Sequence, residues 1–150
     1  MEEWNTRWQD DPQYKHTKFF LPTVSTNNTH SMLKYSRAYV QLMTRAITGH
    51  NFLSKHQNQI GQPVAPECRL CEEAPEAFIH ILTECPRLKQ QRQEIFLDKV
   101  PDGTLNWKIG KIKKFMLTTA VYDMLTEKDH YNPINIIHIH HNYSSSAESE

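Results

Sequence analysis

The chain has 150 residues, whose 17 basic and 17 acidic side chains cancel to no formal net charge. Its length and its 38% hydrophobic content predict one small domain, and no apolar run approaches the ~20 residues that a membrane span needs. The acidic start is unlike a secretory signal peptide, and an odd number of cysteines, all within 68–85, is unlike a disulfide scaffold. We therefore expect an intracellular protein, nuclear or cytoplasmic, with no membrane partner.

The first 30 residues are expected to form an irregular, linker-like segment. Pro22 excludes helix around it and allows at most a short strand at 19–21. The polar run 25–31 is typical of a loop that ends in a helix N-cap, for which Thr29 and Ser31 are the candidates.

Residues 31–127 are predicted to form a mainly α domain. Apolar side chains recur at helical spacing, which indicates helices at about 31–48, 50–60, 75–85, 86–97 and 106–126. Gly49 and Gly61 are expected to end the first two helices. Glu76 is expected in the first turn of the third, where a negative charge favours the helix dipole. Pro86 should end that helix and start the next.

The motif CRLCEEAPEAFIHILTEC at 68–85 carries the clearest chemistry. Zinc prefers four tetrahedral thiolate or imidazole ligands; the CxxC turn would place two sulfurs on one side of the ion, and the helix break at Pro86 would let the last cysteine swing back. The ligands that this spacing predicts are Cys68, Cys71, His80 and Cys85. Four protein ligands leave no position for water, so we expect a structural Zn2+ and no metal catalysis. Glu84, one turn after His80, could accept the remaining imidazole N–H.

The alternative interpretation of this motif is a redox CxxC beside a buried histidine and a buried cysteine. A redox CxxC normally follows a strand and opens a long helix, and the sequence lacks that context. No phosphate-cradling glycine loop, GxSxG or paired-carboxylate motif is present. We therefore expect neither an enzyme nor a small-molecule substrate.

Several ring side chains could contact a ligand but are expected in other roles. The aromatic residues expected in the core, rather than as base-stacking platforms, are Trp4, Trp8, Trp107, Phe19 and Phe20. His50 is expected to cap or pack rather than to contact phosphate. The segment 128–150 is predicted to be a disordered tail, and its weak metal candidates are His138, His140 and His141.

The charges occur in blocks of alternating sign. No acid occurs from Pro12 to Pro66, the segment 67–86 is rich in glutamate, and 87–114 is basic again. Such basic blocks can face phosphate. The side chains expected to contact nucleic acid are Lys34, Arg37, Arg45, Lys55, Arg87, Lys89 and Arg92. The alternative is that each block is simply a solvated helix face.

Two stretches resemble a known family: RAITGHNFLSKHQNQIG (45–61) and PECRLCEEAPEAFIHILTECPRLKQQRQEIF (66–96). They resemble the C-terminal region of LINE-type non-LTR retrotransposon polyproteins, particularly those of arthropods, in which a Cys/His segment follows the reverse transcriptase and ribonuclease H domains. EWNTRW and KHTKFFLPTV also resemble the piece that joins the ribonuclease H domain to this tail. The resemblance implies a segment that helps the enzyme hold its RNA or its DNA target.

Two functions are consistent with these patterns. The first is a zinc-stabilised, non-catalytic module that binds RNA or single-stranded DNA. Because the connector between the ligands is rich in glutamate, which repels phosphate, the flanking basic helices would make the contacts. The second is a protein-interaction or scaffolding module that docks on a polymerase or ribonuclease H domain, which the overall neutrality supports; a non-functional remnant of an element is the remaining alternative.

Overall fold

The computed structural model of the protein describes residues 1–96 and 109–126. Within these ranges the regular structure is helical, apart from an isolated antiparallel bridge between Glu67 and Pro75. The α-helices, in chain order, are α1 (Glu2–Asp10), α2 (Lys15–Phe20), α3 (Thr26–Met32), α4 (Arg37–Thr48), α5 (Ser54–Gln59), α6 (Phe78–Thr83), α7 (Lys89–Phe96), α8 (Ile109–Leu117) and α9 (Val121–Thr126). A 3-10 helix, Pro86–Leu88, leads into α7. The mainly α fold class is confirmed, while the tail predicted at 128–150 lies outside the described residues.

The N-terminal 30 residues are helical over most of their length, so the prediction of irregular or extended backbone there is wrong. Two physical causes explain the difference. Acidic residues in the first turn of α1 complement the helix dipole, and Ser25 caps α3 by accepting a hydrogen bond from the backbone N–H of Asn27. Burial adds to this, because Phe20 on α2 packs its ring 5.5 Å from that of Phe78.

The helix expected at 31–48 is broken into α3 and α4. Ser36 accepts a hydrogen bond from the N–H of Tyr39 and so starts α4 as a new N-cap. The predicted caps Thr29 and Ser31 lie inside α3 instead. The predicted end at Gly49 is confirmed, because this residue takes the left-handed conformation with φ 77° that terminates many helices.

The core joins both halves of the described chain. Helix α4 packs against α2 and α9, and α8 packs against α7 and α9. The helix expected at 106–126 is divided into α8 and α9, where the hydroxyl of Thr119 accepts from the N–H of Val121 and starts the second piece. Buried side chains such as Met43, Phe78 and Phe115 fill the centre. None of the described helices is long and apolar enough to cross a membrane.

The two tryptophans of α1 were expected in the core, but neither is a core residue. Trp4 is 63% exposed and stacks with Arg7 at 5.5 Å. Trp8 is half-buried and donates its indole N–H to the carbonyl of Leu21 at 2.8 Å. The third tryptophan, Trp107, lies outside the described residues. Helix α1 is therefore attached through polar contacts of Trp8, Gln9 and Asn5 rather than through a buried apolar face.

Candidate metal centre

The segment 66–76, which we call the knuckle, turns the CxxC pair back on itself. The N–H of Cys68 donates to the carbonyl of Ala74, and the N–H of Glu72 donates to the carbonyl of Cys68, both at 2.7 Å. Glu72 adopts a left-handed backbone with φ 61°, a conformation uncommon outside glycine that lets the chain reverse direction sharply. This turn places the sulfurs of Cys68 and Cys71 on the same side of the knuckle.

The other two predicted ligands come from α6 and the turn that follows it. The helix ends at Thr83, as expected from the proline at position 86. The N–H groups of Glu84 and Cys85 both donate to the carbonyl of His80 at 2.8 Å. This tight turn brings Cys85 back to the end of the helix that carries His80, so the predicted break in the helix is confirmed.

These two pieces of chain converge on one point. The ligand atoms of four residues all lie within 4.8 Å of one another: Cys68, Cys71, His80 and Cys85. The sulfurs of Cys68 and Cys85 are 4.0 Å apart, and the Cys71 sulfur lies 3.3 Å from Nε2 of His80. Tetrahedral zinc with ordinary bond lengths requires S···S edges of about 3.8 Å and S···N edges of about 3.5 Å. The residues therefore fit a closed four-ligand metal site.

The burial of the four candidate ligands, and the proton shared between two of their sulfurs, are also compatible with a metal site. Cys68 and Cys85 are fully buried and His80 is nearly so, while Cys71 remains partly accessible. The hydrogen bond between the two buried sulfurs raises the pKa of the Cys68 thiol and lowers the pKa of the Cys85 thiol. Because thiolates are the metal-binding form, an ion that takes this place must displace thiol protons.

His80 is oriented with one ring nitrogen toward the sulfurs and the other away from them. Nε2 faces Cys71, and the buried Nδ1 has no hydrogen-bond partner among the described residues. Glu84 lies beside Nδ1 as the sequence suggested, but its carboxylate oxygen is 3.6 Å away and its side chain is 69% exposed. That distance is too long for a hydrogen bond, so Glu84 is a neighbouring charge rather than an acceptor.

A buried ion pair that the sequence did not predict braces the knuckle. Glu76 is fully buried and lies ahead of α6, so the expected dipole contact in a first helical turn is wrong. Its carboxylate accepts from the guanidinium of Arg69 at 2.9 Å and from the backbone N–H of Arg69 at 2.8 Å. It also accepts from the N–H and the hydroxyl of Ser54 at 2.9 and 3.1 Å.

This arrangement also sets the ionisation of Glu76. Burial would raise the pKa of Glu76, but the hydrogen bonds and positive charge of Arg69, with the N–H of Ser54, outweigh it and hold that pKa below its ordinary value. The sequence feature that could have indicated this ion pair is Arg69, the one lysine or arginine in the acidic segment 67–86. A lone charge of the opposite sign beside metal ligands is a candidate for an internal pair.

The residues predicted to contact nucleic acid fall into two groups. Six have exposed side chains and lie on the surface: Lys34, Arg37, Arg45, Lys55, Arg87 and Lys89. Arg92 does not, because it is 9% exposed and donates to the carbonyl of Ile81 at 3.4 Å. Its place on the buried side of α7 removes it from the candidate contacts. The histidines at 138, 140 and 141 lie outside the described residues.

One curated protein with a similar sequence is the retrovirus-related Pol polyprotein from type-1 retrotransposable element R1 4 of Nasonia vitripennis. It is 26% identical over 110 residues, which is 69% of this chain and 27% of that polyprotein. The chain therefore spans about a quarter of the length of the relative it matches. No protein-family model matches the chain, and no solved structure matches it. The resemblance to part of a retrotransposon polyprotein is confirmed, and the position of that part at the polyprotein's C-terminus stays a prediction.

Proposed function

We propose that the chain is a zinc-stabilised accessory module that binds nucleic acid, is not catalytic by itself, and derives from a retrotransposon protein with reverse transcriptase and ribonuclease H domains. One observation carries this proposal. Four ligand atoms, three of sulfur and one of nitrogen, lie together in a small and largely buried cluster. The similarity to a retrotransposon Pol polyprotein supplies the context of nucleic acid.

The chemistry of the donor set favours zinc in a structural role. Thiolate and imidazole ligands suit Zn2+, and four protein ligands complete its tetrahedral coordination. Zn2+ would be held by the knuckle cysteines on one side and by His80 and Cys85 on the other. Binding there would fix the knuckle against α6 and the start of α7, and its free energy would add to the stability of the fold.

The charge distribution separates the metal site from the proposed contacts with nucleic acid. Glu67, Glu72, Glu73 and Glu84 are exposed around the metal ligands and would repel phosphate. The six exposed cations lie on either side of the metal site in sequence, along 34–55 and at 87–89. Phosphate contacts give affinity without reading sequence. We therefore propose that the flanking helices make the contacts with nucleic acid and that the zinc site positions these helices.

The test is a fluorescence anisotropy titration of the zinc-loaded protein. The ligands are RNA and single-stranded DNA oligonucleotides of unrelated sequence, measured from low to physiological salt. We expect binding to all of them with little sequence preference and a logarithm of affinity that falls linearly with the logarithm of salt concentration. An absence of binding at low salt would refute the proposal.

A docking function is the second candidate, and two exposed features favour it. The carboxylates of the knuckle could pair with a basic protein surface, and Leu117 and Tyr122 expose 55% and 41% of their surfaces on α8 and α9. The partner would be a polymerase or ribonuclease H domain. A pull-down with such a domain would distinguish the two functions if the Glu72→Lys/Glu73→Lys variant loses the partner but keeps its affinity for oligonucleotides.

A further inference from the structure

A cleft that Glu76 helps to line contains none of the four candidate metal ligands. Its volume is about 230 Å3, and α2, the α4–α5 connection and α5 supply most of its wall. Three imidazoles and one ammonium line it: His16, His50, His56 and Lys55. A space of this volume is smaller than the roughly 300–1,000 Å3 typical of sites for drug-sized ligands, so it suits a small group.

The imidazoles are held in a defined arrangement. Nε2 of His16 donates to the carbonyl of Ala46 at 2.9 Å. The other ring nitrogen, Nδ1, has no hydrogen-bond partner within 1–96 and 109–126. The rings of His50 and His56 meet edge to face with centroids 5.1 Å apart. His50 and Lys55 are exposed, so the cleft opens to solvent on their side.

The fixed charges in and beside the cleft sum to a positive value once Arg69, the partner of Glu76, is counted. Its lining contains one fixed cation, Lys55, and one fixed anion, Glu76. The negative charge of Glu76 is already neutralised by Arg69 and by the donors of Ser54. Lys55 forms no salt bridge within the described parts of the chain. The net effect on a ligand is that of one ammonium beside three imidazoles that can each accept a proton.

The three histidines are not arranged as a three-ligand metal site. Across 1–96 and 109–126, the residues whose ligand atoms come close enough together to hold an ion are those of the cysteine-containing site. Imidazole N–H groups and an ammonium instead provide several donors and no fixed acceptor. From this geometry we infer that the cleft binds a phosphate group through Lys55, His50 and His56, with His16 forming its inner wall. The inference that the cleft binds phosphate is independent of the proposed function. The further step, that this phosphate belongs to a nucleic acid, rests on the proposed function.

Binding should strengthen as the pH falls. Burial, then the positive charges of Lys55 and His50, lower the pKa of His16 despite the raising effect of the Ala46 carbonyl. Burial and His50 also lower the pKa of His56. An anion in the cleft reverses the Coulombic part of these shifts, because it attracts the protonated rings. The complex therefore takes up protons, which raises affinity by up to about tenfold per pH unit for each proton taken up.

The experiment follows the histidine Cε1–H signals of the zinc-loaded protein by NMR during titration with inorganic phosphate at constant ionic strength. We expect saturable shifts of His50, His56 and His16, and about tenfold weaker binding in Lys55→Gln because a charge-assisted contact is lost. The matched control is Lys114→Gln, which removes an exposed lysine outside the cleft and should bind like the parent. Absent shifts, or shifts that Lys55→Gln leaves undiminished, would overturn the inference.

Two further arms complete the test. Phosphate itself titrates near pH 6, so the pH series uses sulfate, a tetrahedral dianion of constant charge. If the affinity for sulfate does not rise as pH falls, the imidazoles have no role in binding. Competition with 5′-phosphorylated and 5′-hydroxyl oligonucleotides then identifies the source of the group. Displacement of phosphate by either oligonucleotide places nucleic acid in the cleft. If phosphate binds but neither oligonucleotide displaces it, the cleft is a site for free phosphate. That conclusion would hold whatever the outcome of the anisotropy test.

Discussion

The guanidinium of Arg69 and the carboxylate of Glu76 form a buried ion pair, 2.9 Å apart, inside the turn that carries the CxxC cysteines. The same carboxylate accepts from the N–H and hydroxyl of Ser54 at the start of α5. Arg69 lies between Cys68 and Cys71 in the chain. The pair therefore joins the CxxC turn to the helical scaffold through a contact that needs no metal.

Removal of this carboxylate should destabilise the protein even when zinc is bound. In Glu76→Gln, the Arg69 guanidinium, whose side chain is 12% exposed, would be left largely buried without a counter-charge, and such losses cost about 3 kcal/mol. Urea denaturation of the zinc-loaded variant measures the change. The matched control is Glu3→Gln, which breaks an exposed pair at 3.8 Å and should leave stability nearly unchanged. Equal effects of the two substitutions would contradict the bracing role.

The same pair predicts a dependence on acid pH. Because the folded-state pKa of Glu76 lies below the ordinary value near 4.5, the carboxylate adds stability that is fully present above that value and is lost as pH falls through the folded pKa. Denaturation of the parent and of Glu76→Gln as a function of pH should show a stability difference that shrinks on acidification. Loss of zinc in acid affects both proteins and cancels in the difference. A constant difference would argue against the depressed pKa.

Among the glycines at 49, 61 and 110, which the structure describes, Gly49 should be the one at which a methyl group is most harmful. Its φ of 77° is unfavourable for other residues, and an added Cβ would lie 3.4 Å from the ring of His16. The left-handed conformation alone costs roughly 1–2 kcal/mol, so Gly49→Ala should lower the free energy of unfolding by at least that amount. In Gly110→Ala the new Cβ would lie 3.5 Å from the Tyr35 hydroxyl, an ordinary van der Waals contact. Because alanine favours helix over glycine, that control should be neutral or stabilising.

Charge reversal should test whether the proposed cations contact nucleic acid. The triple variant Lys34→Glu/Arg37→Glu/Arg45→Glu removes three proposed phosphate contacts, which should lower the salt slope for single strands by about two. The control reverses three exposed cations outside the proposed set: Arg7, Lys15 and Lys114. Both variants change the net charge equally, so a general Coulombic effect would weaken binding to the same extent in each. Salt slopes that fall equally in the two variants would contradict the assignment of Lys34, Arg37 and Arg45 as phosphate contacts.

Local sequence patterns were sufficient to predict that four candidate metal ligands lie close together. The ligands lie within 18 residues and are positioned by features that act over a few bonds, such as the tight CxxC turn and the helix end before Pro86. Gly49 was predictable for the same reason, since its left-handed conformation depends on its own lack of a side chain.

Tertiary burial was not predictable from the same patterns. The sequence shows that Arg92 and Glu76 are charged, but only the packed chain shows that Arg92 points inward to Ile81 and that Glu76 pairs with Arg69. The missed break before α4 has a subtler cause. Ser36 competes as an N-cap inside a run of otherwise helical spacing, and apolar periodicity does not report that competition.

A zinc ion bound by three cysteines and a histidine is proposed to stabilise this fold. The most direct measurement is metal analysis of the purified protein combined with far-ultraviolet circular dichroism before and after treatment with a chelator. We predict one zinc per chain and a loss of helical signal on chelation that is restored by added Zn2+. A protein that contains no zinc and keeps its helical signal with the chelator present would contradict the claim.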